Sequence, residues 1–198
     1  MINQAGIQLI KKYEGILDGN PRTVNLDPYL CPAGYWTIGW GHVVKNSKGE
    51  MLHGAANKAA AIAVFPNGIT ISQAEDLLQK DLVAFSNFVR RVFPAANDNQ
   101  HAALTSFCFN LGNGRLKESQ LLRLIRANPN NPRIVEAFIA WVRAGGRVLD
   151  GLVARRVSEA ILYFTNILPA SEVYKIAKIS LQERNINLDR INAKTPII

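Results

Sequence analysis

The longest unbroken pattern in this chain of 198 residues lies between Ser72 and Pro94. Ala74, Leu77, Leu78, Leu82, Phe85, Phe88, Val89 and Val92 form an apolar stripe at helical spacing, which lets one face of a helix be buried. Ser72-Gln73-Ala74-Glu75 has the form of a capping box, and Pro94 cannot continue the pattern, so both ends are marked. A helix of roughly 20 residues extends about 30 Å. That length predicts a chain organised as two lobes connected by this helix.

The other elements read as shorter. Asn3 is placed to cap a first helix whose Ile7, Ile10 and Tyr13 recur at three-residue steps, with Gly15 to end it. From Gly19 to Pro28 the composition turns to Gly, Asn, Pro and Asp, which reads as a loop. Tyr29-Leu30-Cys31, a Pro32-Ala33-Gly34 turn and the alternating Tyr35 to Trp40 read as a hairpin. Period two puts Trp36, Ile38 and Trp40 on a core face and leaves Tyr35, Thr37 and Gly39 on a face free for chemistry. Residues 45–70, with an Ala-rich run from Ala55 to Ala63 and a Pro66-Asn67-Gly68 turn, read as a variable insertion.

Beyond Pro94 the punctuation predicts four helices: from about Asp98 to Leu111, stopped by Gly112 and Gly114; from Ser119 to Ala127; from an Asn131-Pro132 start to Gly145-Gly146; and from roughly Leu152 to Asn166, closed by Pro169. Residues 170–198 are a polar tail in which Val173, Ile176 and Ile179 fit a helix and the local alternation fits a strand. It reads as a packing appendage or frayed end, or else as a cationic membrane-active segment. The fold class is therefore α+β and mostly helical, with a small N-terminal β-hairpin lobe, the long helix and a larger helical lobe. The expected boundaries are a domain over 1–169 and a tail over 170–198.

A hydrophobic fraction of 48% is that of a globular chain, and no apolar run approaches the roughly 18 residues of a bilayer span. The opening MINQAGIQLIKKYEG is too polar and too short for a signal peptide and has no small-residue cleavage site, so a cytoplasmic product without its own export address is expected. Cys31 and Cys108 make no disulfide framework and are expected as two separate reduced thiols. The formal charge is +8, and between Arg115 and Arg156 nine Lys/Arg face three Asp/Glu. Such a basic region attracts polyanions: nucleic acid, anionic lipid or an acidic wall polymer. His42, His53 and His101 show no metal spacing, so neither a metal nor another cofactor is expected.

Glu14 falls on the last turn of the first helix, where the dipole makes a poor place for a carboxylate. It is followed by the hairpin Y-L-C-P-A-G-x-W-T-I-G-x-G-H, and together these resemble the phage-type lysozymes, glycoside hydrolase family 24. In that family a catalytic Glu is followed after about eight residues by Asp or Cys and after about five more by Thr. Cys31 and Thr37 keep the second spacing, whereas sixteen residues separate Glu14 from Cys31, which reads as an insertion in the Gly19–Pro28 loop. The resemblance continues through Gln100-x-x-Ala103-Leu104-x-Ser106-Phe107-x-Phe109-Asn110-x-Gly112, Phe138-x-x-Trp141 and Gly151-Leu152-Val153-x-Arg155-Arg156, covering about residues 1–168.

The resemblance implies a lysozyme-like fold and an endolysin muramidase that cleaves the β-1,4 bond between N-acetylmuramic acid and N-acetylglucosamine with inversion. It implies Glu14 as general acid, in a role that needs a proton donor for the leaving oxygen. Cys31 and Thr37 would hold the attacking water, the thiol being a poor base whose pKa a nearby carboxylate would push up; Cys31 also reads as a small buried hydrophobe of the hairpin. Asp18 and Asp27 stand as other sources of a second carboxylate. Tyr35, His42 and Asn110 are the candidate substrate contacts, with structural roles open for His42 and for Asn110. Arg155 and Arg156 read either as attractors of the acidic polymer or as a solvated helix face, and Trp141 as core rather than a sugar platform.

A lytic transglycosylase and a non-catalytic peptidoglycan or polyanion binder remain as alternative readings. The expected partners are peptidoglycan and, for release from the host cytoplasm to the periplasmic wall, a separate membrane-permeabilising protein (holin). No nucleic-acid partner is expected, and the chain is expected as a monomer.

Overall fold

The structure is a computed structural model that describes residues 2–192. The chain divides into two compact units, Glu14–Val83 and a larger one of Met1–Tyr13 with Ala84–Ile198.

The first helix, α1 (Gln4–Glu14), is capped as its sequence asks, since the Asn3 side chain accepts the Gly6 N–H at 3.0 Å. The smaller unit then builds a three-stranded antiparallel sheet of β1 (Tyr29–Leu30), β2 (Trp36–Ile38) and β3 (His42–Val43), in that spatial order. Tyr29 stands opposite Thr37, and Thr37 opposite Val43. Trp36, Ile38 and Trp40 are buried as the alternation requires. Thr37 is only 4% exposed, whereas Tyr35 on the same face is half-buried, so the second face is partly covered. Pro32, Ala33 and Gly34 make a three-residue loop in which Gly34 takes φ +83°, a left-handed conformation that glycine adopts without strain.

A single 3-10 turn (Ala55–Asn57) and α2 (Lys58–Val64) follow, and α3 (Ile71–Val92) passes from the smaller unit into the larger. The capping box of α3 is made by Thr70 and Gln73, not by Ser72 and Glu75: Thr70 N–H donates to Gln73 Oε1 at 2.8 Å and Gln73 N–H to Thr70 Oγ1 at 3.2 Å. Two overlapping boxes are present in the sequence, and the one nearer the Gly68 turn is used. Ala74, Leu78, Leu82, Phe88 and Val89 of the expected stripe are buried.

The larger unit contains α4 (Asp98–Leu111), α5 (Asn113–Glu118), α6 (Gln120–Ala127), α7 (Arg133–Ile139), α8 (Asp150–Tyr163), α9 (Ala170–Gln182) and α10 (Leu188–Asn192). Gly112 ends α4 at φ +88°, whereas Gly114 lies inside α5 rather than stopping a helix. Gly145-Gly146 is likewise no helix stop. Both glycines have positive φ and form the two-residue turn of a hairpin between β4 (Arg143–Ala144) and β5 (Arg147–Val148).

The tail settles between its two readings as helix. α9 and α10 bury Val173, Ala177, Leu181, Leu188 and Ile191, and α9 packs on α7 and α8. Its last stretch, 193–198, lies outside the described residues.

The core of this unit is a chain of edge-to-face aromatics, Trp141 to Phe107 to Phe138 to Tyr163 to Phe164, with centroids 5.1–5.9 Å apart. Beside it lies a buried ionic group. Glu159, fully buried, accepts from Arg155 Nε at 3.2 Å, Arg156 Nη2 at 3.0 Å and Ser106 Oγ at 2.7 Å. Neither reading of the two arginines therefore holds: they are 3% and 0% exposed, and the helical spacing to Glu159 turns them inward.

Removing one partner of a buried ion pair leaves an uncompensated charge, so Glu159→Leu should cost about 3–5 kcal/mol in urea unfolding. Lys178→Ala, which breaks the exposed Lys178–Asp189 pair, should leave the midpoint nearly unchanged. His101 is buried between α3 and α4, with Nε2 3.1 Å from Ser86 O, and burial holds its pKa below the usual 6.5. The unfolded chain then binds the proton first, so His101's contribution is complete above pH 6.5 and is lost as the pH falls through the lowered native value. Denaturation profiles from pH 7.5 to 5 should show this slope, flattened in His101→Gln.

Candidate active site

Glu14 is the last residue of α1, where Gly15 at φ +65° turns the chain away. Its carboxylate lies against the turn between β2 and β3: a Cβ built at Gly41 would stand 3.8 Å from Glu14 Oε2. Gly41 is at φ +83°, so any side chain there would be strained as well as in contact with the acid.

Cys31 follows β1 at the start of the hairpin loop. Its N–H donates to Tyr35 O at 2.9 Å and its carbonyl accepts the Gly34 N–H at 2.8 Å, which fixes the thiol beside the turn. Partial burial pushes the thiol pKa up. Hydrogen bonds to sulfur from the Tyr35 N–H, the Thr37 hydroxyl and the Ala33 and Gly34 N–H groups outweigh it and hold the pKa below the usual 9.0. The raising influence on the thiol is burial, not a neighbouring carboxylate as expected from the sequence. Thr37 Oγ1 also reaches Tyr35 O at 3.1 Å, so its one proton is shared between that carbonyl and the sulfur.

Tyr29, a residue the motif does not mark, joins this group. Burial raises its pKa first, then the charges of Cys31 and Glu14, so all three side chains share one neighbourhood. The signal was present, because Tyr29 is two residues from Cys31 and a period of two puts both on one face.

Asp18 and Asp27 are engaged within the 19–28 loop instead. Asp18 Oδ1 accepts the N–H groups of Asn20 and Asp27 at 3.0 and 2.9 Å, and Asp27 Oδ2 accepts from Thr23 Oγ1.

Of the substrate candidates, Tyr35 is half-buried with its ring edge against His53, centroids 4.9 Å apart. His42 Nδ1 is 2.9 Å from Asp81 Oδ2, which ties β3 to α3 inside the smaller unit. Asp81 gave no signal in the sequence, because a carboxylate on an exposed stretch of helix has no distinguishing pattern. Asn110 lies in the larger unit, where its Oδ1 accepts from Arg156 Nη2 at 3.0 Å. Trp141 is half-buried, with the Arg115 guanidinium 5.8 Å from its ring centroid. Among the described residues, no group of three His, Cys, Asp or Glu side chains could hold a metal ion.

A family model described as phage lysozyme matches residues 20–159. The chain belongs to the phage lysozyme family. It is 33% identical over 165 residues to an endolysin of Bacillus phage B103, covering 83% of this chain and 54% of that protein. The chain thus spans about half the length of that Bacillus phage relative. An endolysin of Salmonella phage P22 is 30% identical over 168 residues, with 83% of this chain and 98% of the relative covered. Among solved structures, the muramidase domain of SpmX from Asticaccaulis excentricus superposes with a TM-score of 0.61 at 28% identity, covering 85% of this chain and 99% of that one. The lysozyme-like, mostly helical fold with a small sheet is therefore established. The matched family segment begins after Glu14 and ends before α9.

The two thiols of this lysozyme-family chain are unbridged and differ sharply. Burial, followed by the charge of Glu159, pushes Cys108 up to about 12, whereas Cys31 is partly accessible and lowered. Ellman's reagent at pH 8 should titrate one thiol in the native protein and the second only in denaturant. Cys31→Ser should remove the fast phase.

Proposed function

We propose that this protein is an endolysin muramidase that hydrolyses the β-1,4 bond between N-acetylmuramic acid and N-acetylglucosamine in peptidoglycan during host lysis. The observation that carries this reading is the placement of Glu14, Cys31 and Thr37 about one small three-stranded sheet within a chain of the phage lysozyme family.

Glu14 acts as general acid, donating its proton to the departing glycosidic oxygen. Water attacks the anomeric carbon from the other side in a single displacement that inverts the configuration. Cys31 and Thr37 hold that water. A hydroxyl that donates to sulfur or to a carbonyl keeps lone pairs for a water hydrogen, and a thiol of lowered pKa has more thiolate to receive the proton water loses. Tyr35 and His42 contact the sugars, and no cofactor takes part.

Residues 1–169 form the catalytic domain, with 170–198 appended to it. The protein works as a monomer and stays in the host cytoplasm until a holin opens the membrane. No helix of the described residues is long and apolar enough to cross a membrane.

Glu14→Gln should reduce solubilisation of purified peptidoglycan at least 1,000-fold, and wild-type speed in that variant would sink the assignment. Cys31→Ala should lower the rate about 10- to 100-fold and Cys31→Asp should restore much of it. Asp27→Asn should leave the rate near wild type. Mass spectrometry of the products separates the chemistries, since hydrolysis leaves reducing ends and a transglycosylase leaves 1,6-anhydromuramic ends.

A further inference from the structure

The segment after the matched family region builds a feature of its own. α9 and α10 are held to the larger unit by buried apolar residues, and the turn between them brings Arg184 and Arg190 to the same cavity as Arg143 of the β4–β5 hairpin. This cavity measures about 650 Å³ and lies wholly within the larger unit. Asn185 and Asn187 line it beside the arginines. Among the described residues Asp150 supplies its one carboxylate, 3.9 Å from Arg190.

Three arginines against one carboxylate among the described residues make a site for an anion that carries more than one charge. Arginine suits phosphate in particular, because its planar fork gives two parallel N–H donors to two oxygens of one group. Most of those donors are uncommitted among the described residues. Arg184 uses Nη1 alone, on Ser180 O and Oγ, which steadies the side chain without consuming Nη2 or Nε. Arg143 uses Nη1 on Gly146 O at 3.3 Å.

The volume exceeds that of a single phosphate and accommodates a polyol or sugar joined to it, for which the two asparagine amides are fitting partners. A bilayer is a poor match. A membrane-surface helix needs an exposed apolar face, and here Leu188 and Ile191 of α10 point into the core.

We infer that Arg143, Arg184 and Arg190 form a binding pocket for a phosphodiester-linked polyol or sugar polymer, separate from the Glu14 site. The pocket gives the C-terminal helices a role in holding the protein on a phosphate-bearing surface polymer, and it does not depend on how Glu14 works.

Calorimetric titration of the full chain with poly(glycerol phosphate) tests this. Binding should weaken at least tenfold in the Arg143→Gln/Arg184→Gln/Arg190→Gln variant. It should be nearly unchanged in Arg123→Gln/Arg126→Gln/Arg133→Gln, which removes the same charge elsewhere. Arg143→Gln alone, on a surface hairpin outside the core, should weaken it about threefold with an unaltered melting temperature. Absence of binding, or equal losses in both triple variants, would overturn the pocket. Vesicles of phosphatidylglycerol that compete for the same arginines at equal phosphate would overturn the polymer in favour of lipid. Peptidoglycan hydrolysis by the pocket variants, measured on wall stripped of phosphate polymers, should match wild type.

Discussion

Glu159 is a carboxylate at 0% exposure, and its charge is tolerable there only because Arg155, Arg156 and Ser106 converge on one of its oxygens. Much else in the larger unit is arranged around this group. Ser106 comes from α4 and the other three from α8, so the ionic contact pins the pair of helices that packs most extensively. The Arg156 guanidinium also sits 4.9 Å from the Phe107 centroid, joining the charges to the aromatic core. Tyr13, next to Glu14 in the chain, donates to or accepts from Ser158 Oγ at 2.7 Å and lies under Arg155. The end of α1 at Tyr13 is therefore fastened to the same cluster within the larger unit.

Such a group is a constraint more than a source of net stability. Two guanidinium groups, one carboxylate and the Asn110 amide must all find partners at once, so few alternative packings of α4 on α8 satisfy them. Asn110 illustrates how a residue can look functional from its motif while its oxygen is occupied by structure. Its amide oxygen accepts from Arg156, which leaves its NH2 group as the part able to meet a ligand.

What was legible in the chain divides along physical lines. The stripe of α3, the Asn3 cap and the α4 stop at Gly112 depend on contacts a few residues apart, and their period and punctuation carried them. Gly145-Gly146 misled because two glycines end a helix or turn a hairpin equally well, and only the pairing of Arg143 with Val148 decides between them. Arg155 and Arg156 misled for a related reason. A pair of arginines reads as surface unless the partner carboxylate is recognised, and Glu159 lies in plain view three and four residues on. At the candidate site the alternation put Thr37 on the face opposite Trp36, Ile38 and Trp40, but the lowered thiol pKa of Cys31 depends on backbone N–H directions that no side-chain pattern encodes.

Sixteen residues separate Glu14 from Cys31, which raises the question of how so long a connection leaves the thiol in register. The loop answers it by closing on itself. Gly19 N–H donates to Asp27 O at 3.1 Å, Asp18 collects two further N–H groups, and Leu26 exchanges both backbone hydrogen bonds with Ile69 at 2.8 and 2.9 Å. Gly68 permits this last contact, since a Cβ there would come within 2.6 Å of Leu26 O. The chain thus re-enters the sheet at Pro28 from a clasped base, and the entropy of a longer loop rises only logarithmically with its length. Because Cys31 takes its position from Tyr35 and Gly34 across its own three-residue turn, residues added before Pro28 shift neither the register with Thr37 nor the donors that hold the sulfur.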